Sequence, residues 1–354
     1  MKKYSTGRAA LAALFICSAA MSLVGCSPKQ KELQSFDVQY LDYFDTFTSV
    51  TIYAEDQEQF SGYAQIVKEN LEHYHQLFDI YHNYDGMNNV KSINDEAGVM
   101  PVEVEPEVLD MLEYAKEEYE ATDGLVNVAM GSVLSIWHDY REQGMADPEK
   151  AAVPNTAELQ DAAKHMDISK VELDPAASTV YLADPDMQLD VGAIAKGYAT
   201  QLISDKLREA GVTSALLSVG GNVETIGKRG DGKDWKVGIQ NPDTSSTKAY
   251  LHAIKLDDYA LVTSGTYQRF YEVDGVRYHH IVNPDTLMPW QEYASVTILT
   301  KDSGRADALS TGVFNMELEK GQAFIESLED TEALWVMPDG SEVESSGFGA
   351  FIAD

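Results

Sequence analysis

Cysteine is nearly missing from this chain: there are two in 354 residues, Cys17 and Cys26. Beyond Cys26 no thiol remains for a disulfide, for thiolate chemistry or for a zinc centre. Stability must then come from an ordinary apolar core, which a chain of this length can build. Positive charge is scarce as well. Lys and Arg number 26 against 58 Asp and Glu, a formal net charge of −32, and no basic patch or Arg/Lys-rich stripe stands out along the chain. That balance argues against nucleic acid as a partner. It also repels any anionic ligand, so such a ligand would need local neutralisation by Lys, Arg, backbone donors or a divalent cation. Neither the Rossmann nor the P-loop glycine spacing occurs, and no fixed-period repeat is present.

What the chain does have begins with a processing segment, Met1 to Gly25. Lys2, Lys3 and Arg8 form its positive end, Ala9 to Met21 is nearly apolar, and small residues follow. Leu23-Val-Gly-Cys26 resembles a bacterial lipobox, which predicts cleavage before Cys26 and a lipidated terminus on the extracytoplasmic face of the cell membrane. An ordinary short membrane anchor or a non-lipidated signal is the alternative. Loss of Lys2, Lys3 and Arg8 would take the charge from −32 to −35. The polar stretch from Ser27 to Ser35 reads as a tether. The expected division is therefore 1–25 signal, 26–37 lipidated terminus and tether, and 38–354 a single functional domain.

Phe44 to Tyr53 reads as an early strand, and Gln57 to Phe78 as an amphipathic helix. Ser92-Ile-Asn94 reads as a turn recrossing a cleft. Pro106 starts a helix that Gly124 ends or redirects, Gly131 to Trp137 is a short helix, and Glu142 to Pro154 an exposed insertion. Asn155 with Glu158 predicts a capping box. The later half alternates β-like runs (171–173, 180–182, 215–219, 235–240, 250–256, 260–263, 296–300) with helices near 194–210, 305–316 and 321–328. The many strand-turn-strand segments after Val212 argue against a uniformly doubly wound sheet.

Four stretches hold most of the chemical handles. Around Asp190-Val-Gly-Ala-Ile-Ala-Lys-Gly197, a run from Thr179 to Asp190 reads as a strand ending in a tight turn and a helix start, with Lys196 near that helix N-terminus. Such a start suits a phosphate, because free backbone donors and the helix dipole face the ligand. Ser218-Val-Gly-Gly-Asn-Val223 follows a buried strand, and Gly220 and Gly221 permit close backbone approach to a ligand or simply a tight turn. Thr263-Ser-Gly-Thr-Tyr-Gln-Arg269, followed by His279-His-Ile-Val-Asn-Pro284, offers hydroxyls, a guanidinium and imidazoles. Ser264, His280 and Asp307 also satisfy the composition of a hydrolase triad, without a nucleophile-elbow signature. In Arg305-Ala-Asp-Ala-Leu-Ser-Thr-Gly312, Asp307 and Thr311 are four apart and share one face of a helix. That oxygen pair suits Mg²⁺, or else is a capping Asp with a buried Thr.

Together these words resemble the ApbE family of FAD:protein FMN transferases from about Tyr43 to Ile352. They are Asp190-Val-Gly-Ala-Ile-Ala-Lys-Gly197, Val219-Gly-Gly-Asn222, Thr263-Ser-Gly265 with Arg269, His280-Ile-Val-Asn-Pro284 and Ala306-Asp-Ala-Leu-Ser-Thr311. The resemblance implies an α+β, T-fold-like mixed-sheet scaffold with flanking helices and FAD lying across a cleft. It implies a Mg²⁺ site matching Asp307, Thr311 and the main-chain oxygen near Ala193. Flavin contacts fall on Tyr81, Asp190, Lys196, Gly220, Gly221, Thr263, Ser264, Gly265, Arg269 and His280.

The implied reaction moves FMN from FAD, the substrate, to a Thr or Ser of an exported flavoprotein such as a redox-complex subunit, and releases AMP. His280 is expected to activate or orient the acceptor hydroxyl, with His279 as its competitor, and Asp307 to serve as metal ligand rather than base. Two other readings share the same ligand: an FAD pyrophosphatase, and a flavin-delivery lipoprotein that breaks no bond. Asn283-Pro-Asp-Thr-Leu-Met-Pro289 stands where the family word is Asp-Pro-x-Thr-Gly-x-Pro, so Leu287 replaces a flexible glycine and an altered loop is expected. The early signature is matched only in part, by Asp79-Ile-Tyr81 and Ser92-Ile-Asn94.

Overall fold

The computed structural model describes residues 32–353, so the expected signal and Cys26 lie outside the described residues. In chain order come β1 (Gln34–Tyr43), β2 (Thr46–Ala54), α1 (Gln57–Leu77), α2 (Val90–Asp95), β3 (Val102–Glu103), α3 (Pro106–Ala121), α4 (Gly131–Ala146), α5 (Thr156–Ala162), β4 (Val171–Asp174) and β5 (Thr179–Leu182). Then follow α6 (Ala195–Glu209), β6 (Ala215–Val219), β7 (Asn222–Ile226), β8 (Trp235–Gln240), β9 (Tyr250–Leu256), β10 (Ala260–Gly265), β11 (Phe270–Val273) and β12 (Val276–His279). The chain closes with β13 (Ser295–Thr300), α7 (Ser303–Phe314), α8 (Leu318–Glu326), β14 (Glu332–Val336) and β15 (Glu342–Glu344).

Eight strands form the main sheet in the order β1-β2-β6-β7-β10-β13-β14-β15. Every ladder in it is antiparallel, so the α+β layering is as expected while the strands are not mixed in direction. The period of two along a strand sends alternate residues to opposite faces. On β10, β13 and β14, Val262, Ile298 and Trp335 pack against Leu309, Val313 and Phe314 of α7 and Ile325 of α8. Their neighbours Leu261, Leu299 and Leu334 pack instead against Trp235, Ile254 and Leu256 of the β8–β9 hairpin. At the other end of the sheet, Val50, Ile52, Ala215 and Leu217 meet Val67 and Leu71 of α1 and Ile203 and Leu207 of α6. The helices thus lie on one face, and the centre of the sheet is buried on both.

Several local expectations change. β1 begins at Gln34, inside the stretch expected to be tether, with Gln34 opposite Ala54 of β2. The strand expected to run to Asp190 stops at Leu182. Pro185 has no amide to donate, and Asp184 turns the chain by accepting from the amide of Asp186. A loop, not a strand, therefore leads into α6. Ser92-Ile-Asn94 is helical rather than a turn, because Asn89 and Ser92 form a capping box at the start of α2. From there Asn94 clamps the loop, donating to the Leu189 carbonyl at 3.0 Å and accepting from its amide at 2.7 Å. α4 continues past Trp137 to Ala146, so the expected insertion begins within a helix. Asn155 caps α5 by accepting from Ala157.

The absence of a basic patch also needs correction. The loop after β7 and the β8–β9 hairpin gather Lys228, Arg229, Lys233, Lys236 and Lys255 around a cavity of about 350 Å³. Among the described residues no helix is long and apolar enough to cross a membrane.

Candidate active site

The site is built where α6, α7 and the β6–β7 turn meet. Gly197 lets the two helices touch: a Cβ there would lie 2.3 Å from the Ser303 carbonyl oxygen and 2.4 Å from Asp307 Cβ. At that contact Asp307 is buried, 5% exposed. Its Oδ2 accepts from the Gly197 amide at 2.8 Å and from Asn222 Nδ2 at 2.8 Å, with Lys196 Nζ 3.7 Å away. Burial pushes the Asp307 carboxyl above its ordinary value, opposed by Lys196, the Gly197 amide and Asn222.

Three oxygens are left over by this arrangement. All the donors converge on Oδ2 of Asp307, and Oδ1 takes none among the described residues. The Gly197 amide, which an ordinary helical turn would aim at the Ala193 carbonyl, goes to Asp307 instead. One turn along α7 from Asp307, the half-buried Thr311 hydroxyl has no protein partner among the described residues. A carboxylate, a carbonyl and a hydroxyl are the donor chemistry of a hard divalent cation. The three histidine–carboxylate clusters elsewhere among the described residues contain none of these groups.

The paired glycines act through the turn. Gly220 and Gly221 have φ of +58° and +93°, and a Cβ on Gly220 would sit 2.6 Å from Thr46 Oγ1. Only residues without a side chain pass this turn easily, and it sets Asn222 at the start of β7 against Asp307. On β10, Thr263 Oγ1 bonds Thr297 Oγ1 at 2.9 Å, tying two strands together. Ser264 Oγ bonds Ser310 Oγ at 2.8 Å, and Ser310 donates to the Asp307 carbonyl. Gly265 gives the Tyr267 ring room that a Cβ would fill, at 2.4 Å. No Ser264–His280–Asp307 relay exists among these bonds.

A second group carries charge. Asp190 accepts from the Gly192 amide at 2.8 Å. Burial pushes its carboxyl up, against the pull of that amide, His138, Lys196 and Arg141. Tyr81 is 54% exposed, its ring 5.8 Å from the His138 ring, and its hydroxyl feels Asp190, Arg141 and Arg269. Arg269 and His280 face each other across the open end of the β11–β12 hairpin, with the His280 amide donating to the Arg269 carbonyl at 3.2 Å. Burial first, then Arg269, His279, Arg141 and Lys196, lower His280 to about 3, and its Nδ1 has no partner.

His279 is differently placed. Its Nε2 lies 2.7 Å from the Trp290 carbonyl, its Nδ1 accepts from the Ile281 amide, and the ring is 2% exposed. Both nitrogens are engaged in packing, so only His280 has one to offer.

Tyr81, Asp190, Lys196, Arg269 and His280 are thus electrostatic neighbours, Asp307 is joined to Lys196, and Thr263 is turned into the sheet. Sequence reasoning missed Arg141, which bonds His138 Nδ1 at 2.9 Å and is 15% exposed in its side chain. The signal was the three-residue spacing of His138 and Arg141, hidden because the helix was ended at Trp137. Asn222 and Gly197 lay within quoted motifs without being assigned a role.

Asn283 and Leu287 keep the turn that their departures put in question. Asn283 Oδ1 accepts from the Asp285 and Thr286 amides at 3.0 Å, and its Nδ2 donates to the Asn315 carbonyl at 3.1 Å, which a carboxylate would not do. Leu287 sits at φ +58°, the left-handed region natural to glycine, and its carbonyl accepts from Trp137 Nε1 at 2.9 Å.

A family model described as the ApbE family matches residues 44–335. A protein named FAD:protein FMN transferase from Klebsiella pneumoniae (strain 342) is 31% identical over 300 residues, which cover 83% of this chain and 87% of that protein. One of the same name from Treponema pallidum (strain Nichols) is 36% identical over 270 residues, 72% of each. The crystal structure of an ApbE protein from Thermotoga maritima matches with a TM-score of 0.79 at 28% identity, covering 91% of this chain and 100% of that one. Flavin transferase ApbE from Vibrio cholerae matches with 0.75 at 25% identity, covering 90% and 99%.

Proposed function

The chain belongs to the ApbE family, and from that premise we propose that it transfers FMN from FAD to a Thr or Ser hydroxyl of a flavoprotein, releasing AMP. The observation that carries this reading is the buried Asp307, with one oxygen left without a donor, next to Lys196, which it shares as a neighbour with the His280, Arg141 and Arg269 group. We take the sheet and helices as a T-fold-like scaffold, with FAD lying across the region between Tyr81 and Asp307. The lipid anchor at Cys26, and with it an acceptor outside the cytoplasmic membrane, belong to the same proposal.

Asp307, Thr311 and the Ala193 carbonyl would hold Mg²⁺, which when bound supplies positive charge to the diphosphate. Lys196, Arg141 and Arg269 attract and orient that diphosphate within a strongly acidic protein. The acceptor hydroxyl oxygen bonds to the phosphorus on the FMN side, and the bond from that phosphorus to the bridging oxygen breaks. The electron pair leaves with AMP, and the hydroxyl proton passes to His280 Nε2. Flavin redox state does not change.

His280 is neutral at neutral pH, and its Nε2, unlike the sealed Nδ1, is open to take that proton. Its low pKa makes it a weak base in the free protein, in part because of repulsion from nearby cations. A diphosphate paired with Arg269, Arg141 and Lys196 removes that repulsion and raises the basicity of His280 when substrate is present.

The test is to incubate the protein with FAD, Mg²⁺ and exported flavoproteins, and to measure acceptor mass and nucleotide products. Retention of FMN on denatured acceptor with equimolar AMP is expected. Free FMN and AMP alone would assign a pyrophosphatase, and intact FAD with saturable binding a delivery protein.

A further inference from the structure

We propose that the basic cavity at the β7–β8 loop and the β8–β9 hairpin binds the phosphate groups of anionic lipid and so sets the orientation of the domain on the membrane. Its geometry rests on the lipid-anchor reading above.

The cavity is an exception in a chain of net charge −32, since Lys228, Arg229, Lys233, Lys236 and Lys255 share its wall with one carboxylate, Asp234. Local pairing accounts for part of the charge. Lys228 meets Asp234 at 2.8 Å and Asp257 at 3.5 Å, while Arg229 and Lys233 share Asp231. Lys236 and Lys255 remain. They are direct cross-strand partners on β8 and β9, and neither has a carboxylate partner among the described residues. Like charges directly opposite each other destabilise an antiparallel pair, and an anion bound between them reverses that cost. The Arg229 Nε is a buried donor with no partner.

The position of the cavity selects the source of the phosphate. Its loop leans over β2: a Cβ on Gly230 would lie 2.1 Å from the Tyr53 ring. Tyr53 stands opposite Ser35 on β1, one residue after the point where the sheet begins. Gln34 is eight residues beyond Cys26, so an anchor at Cys26 holds this end of the sheet within about 28 Å of the bilayer at full extension. The acidic remainder of the domain is repelled by an anionic leaflet, and the cationic cavity is drawn to it. The domain would then stand with this end toward the lipid.

The test uses the full-length protein on vesicles of phosphatidylcholine alone or with phosphatidylglycerol. Hydrogen exchange is followed in peptides covering 228–236 and 250–256, with 303–314 as the internal control. The first two are expected to slow by at least about fivefold on the phosphatidylglycerol vesicles, and the control not to change. Lys236→Glu with Lys255→Glu should abolish the difference, as should Lys236→Gln with Lys255→Gln if charge reversal disturbs folding, with flavin transfer to a soluble acceptor unchanged. Protection indifferent to lipid charge would overturn the proposal. Equal protection by inorganic phosphate without vesicles would also overturn it, assigning the cavity to a soluble phosphorylated ligand. The intact mass of the processed protein reports the lipid on Cys26 separately. Without that lipid, phosphatidylglycerol vesicles added from outside must still protect the same peptides.

Discussion

Two carboxylates are buried along β7, and the fold treats them differently. Glu224, on the strand itself, is 1% exposed and faces the Arg208 guanidinium at 3.0 Å. Asp307 reaches the same strand through Asn222, two residues earlier, and has only neutral donors within hydrogen-bond distance, its nearest cation lying at 3.7 Å. Burial pushes both carboxyls up, opposed at Glu224 by Ser204 and the charge of Arg208. The oxygen that Glu224 leaves over is sealed from solvent, whereas the one on Asp307 is not. Burial by itself therefore does not make a site. A buried anion held by neutral groups, with one accessible lone oxygen, is arranged for a cation from solution, and an anion closed by an arginine is part of the core.

Replacing the open carboxylate should break this comparison most sharply. Asp307→Asn is expected to lower transfer by about 10³-fold, in the range seen when a charge-stabilising group is removed from a reaction centre. If Asp307 holds Mg²⁺ as proposed, the wild-type chain should melt higher with Mg²⁺ and the Asp307→Asn variant should not. Because ionised Asp307 is unfavourable in the metal-free fold, the metal-free melting temperature should not fall. A large drop there would make Asp307 a structural residue like Glu224.

The closed carboxylate should show the reverse. Arg208→Met leaves Glu224 without its cation and is expected to cost about 3 kcal/mol of stability. Adding Glu224→Gln should restore most of it, with kcat little changed in the refolded enzyme. Urea titration of both variants checks the pairing, and a loss of activity without loss of stability would overturn it.

The same contrast recurs in the adjacent histidines. His279, with both nitrogens engaged, falls from 6.5 to about 4, mainly through burial. Its folded pKa lies below the unfolded one, so stability is fully present above about 6.5 and is lost as the pH falls toward 4. The expected loss is on the order of 3 kcal/mol. His279→Gln should lower stability at pH 8 yet flatten this slope, which thermal melts across the range would show.

The sequence was most legible where one periodicity ruled. α1, α6, α7 and the strands β6, β8, β9, β10 and β13 stand close to where alternation and helical spacing put them, whereas β7, β11 and β12 were not expected, and the Asp307–Thr311 spacing placed both oxygens on one helix. What escaped depended on partners distant in sequence. β1 is the exception, since Phe36, Val38 and Tyr40 alternate with polar residues and pack against the core, a strand signal at the sheet edge that the tether reading passed over. Gly197 reads as a weak point in a helix until α7 is seen packed against it. Arg141 became visible only when α4 ran past Trp137, and the basic cavity only when a loop and a hairpin folded together.

The smallest effect belongs to Leu287. At φ +58° it takes the conformation that glycine adopts freely, at a cost of roughly 1–2 kcal/mol for a residue with a side chain. Leu287→Gly removes that strain, but it also loses the partly buried side chain, which packs beside Trp137 and Met130, and it gains backbone freedom in the unfolded chain. These terms oppose one another, so the net change should stay within about 1 kcal/mol. The Trp137 bond to the 287 carbonyl involves only backbone at that position, so the turn and transfer to a soluble acceptor should persist. Leu287 then differs from both carboxylates, because its side chain neither closes the core nor serves the chemistry. A change in kcat with unchanged stability would instead mean that the leucine side chain itself touches flavin or acceptor.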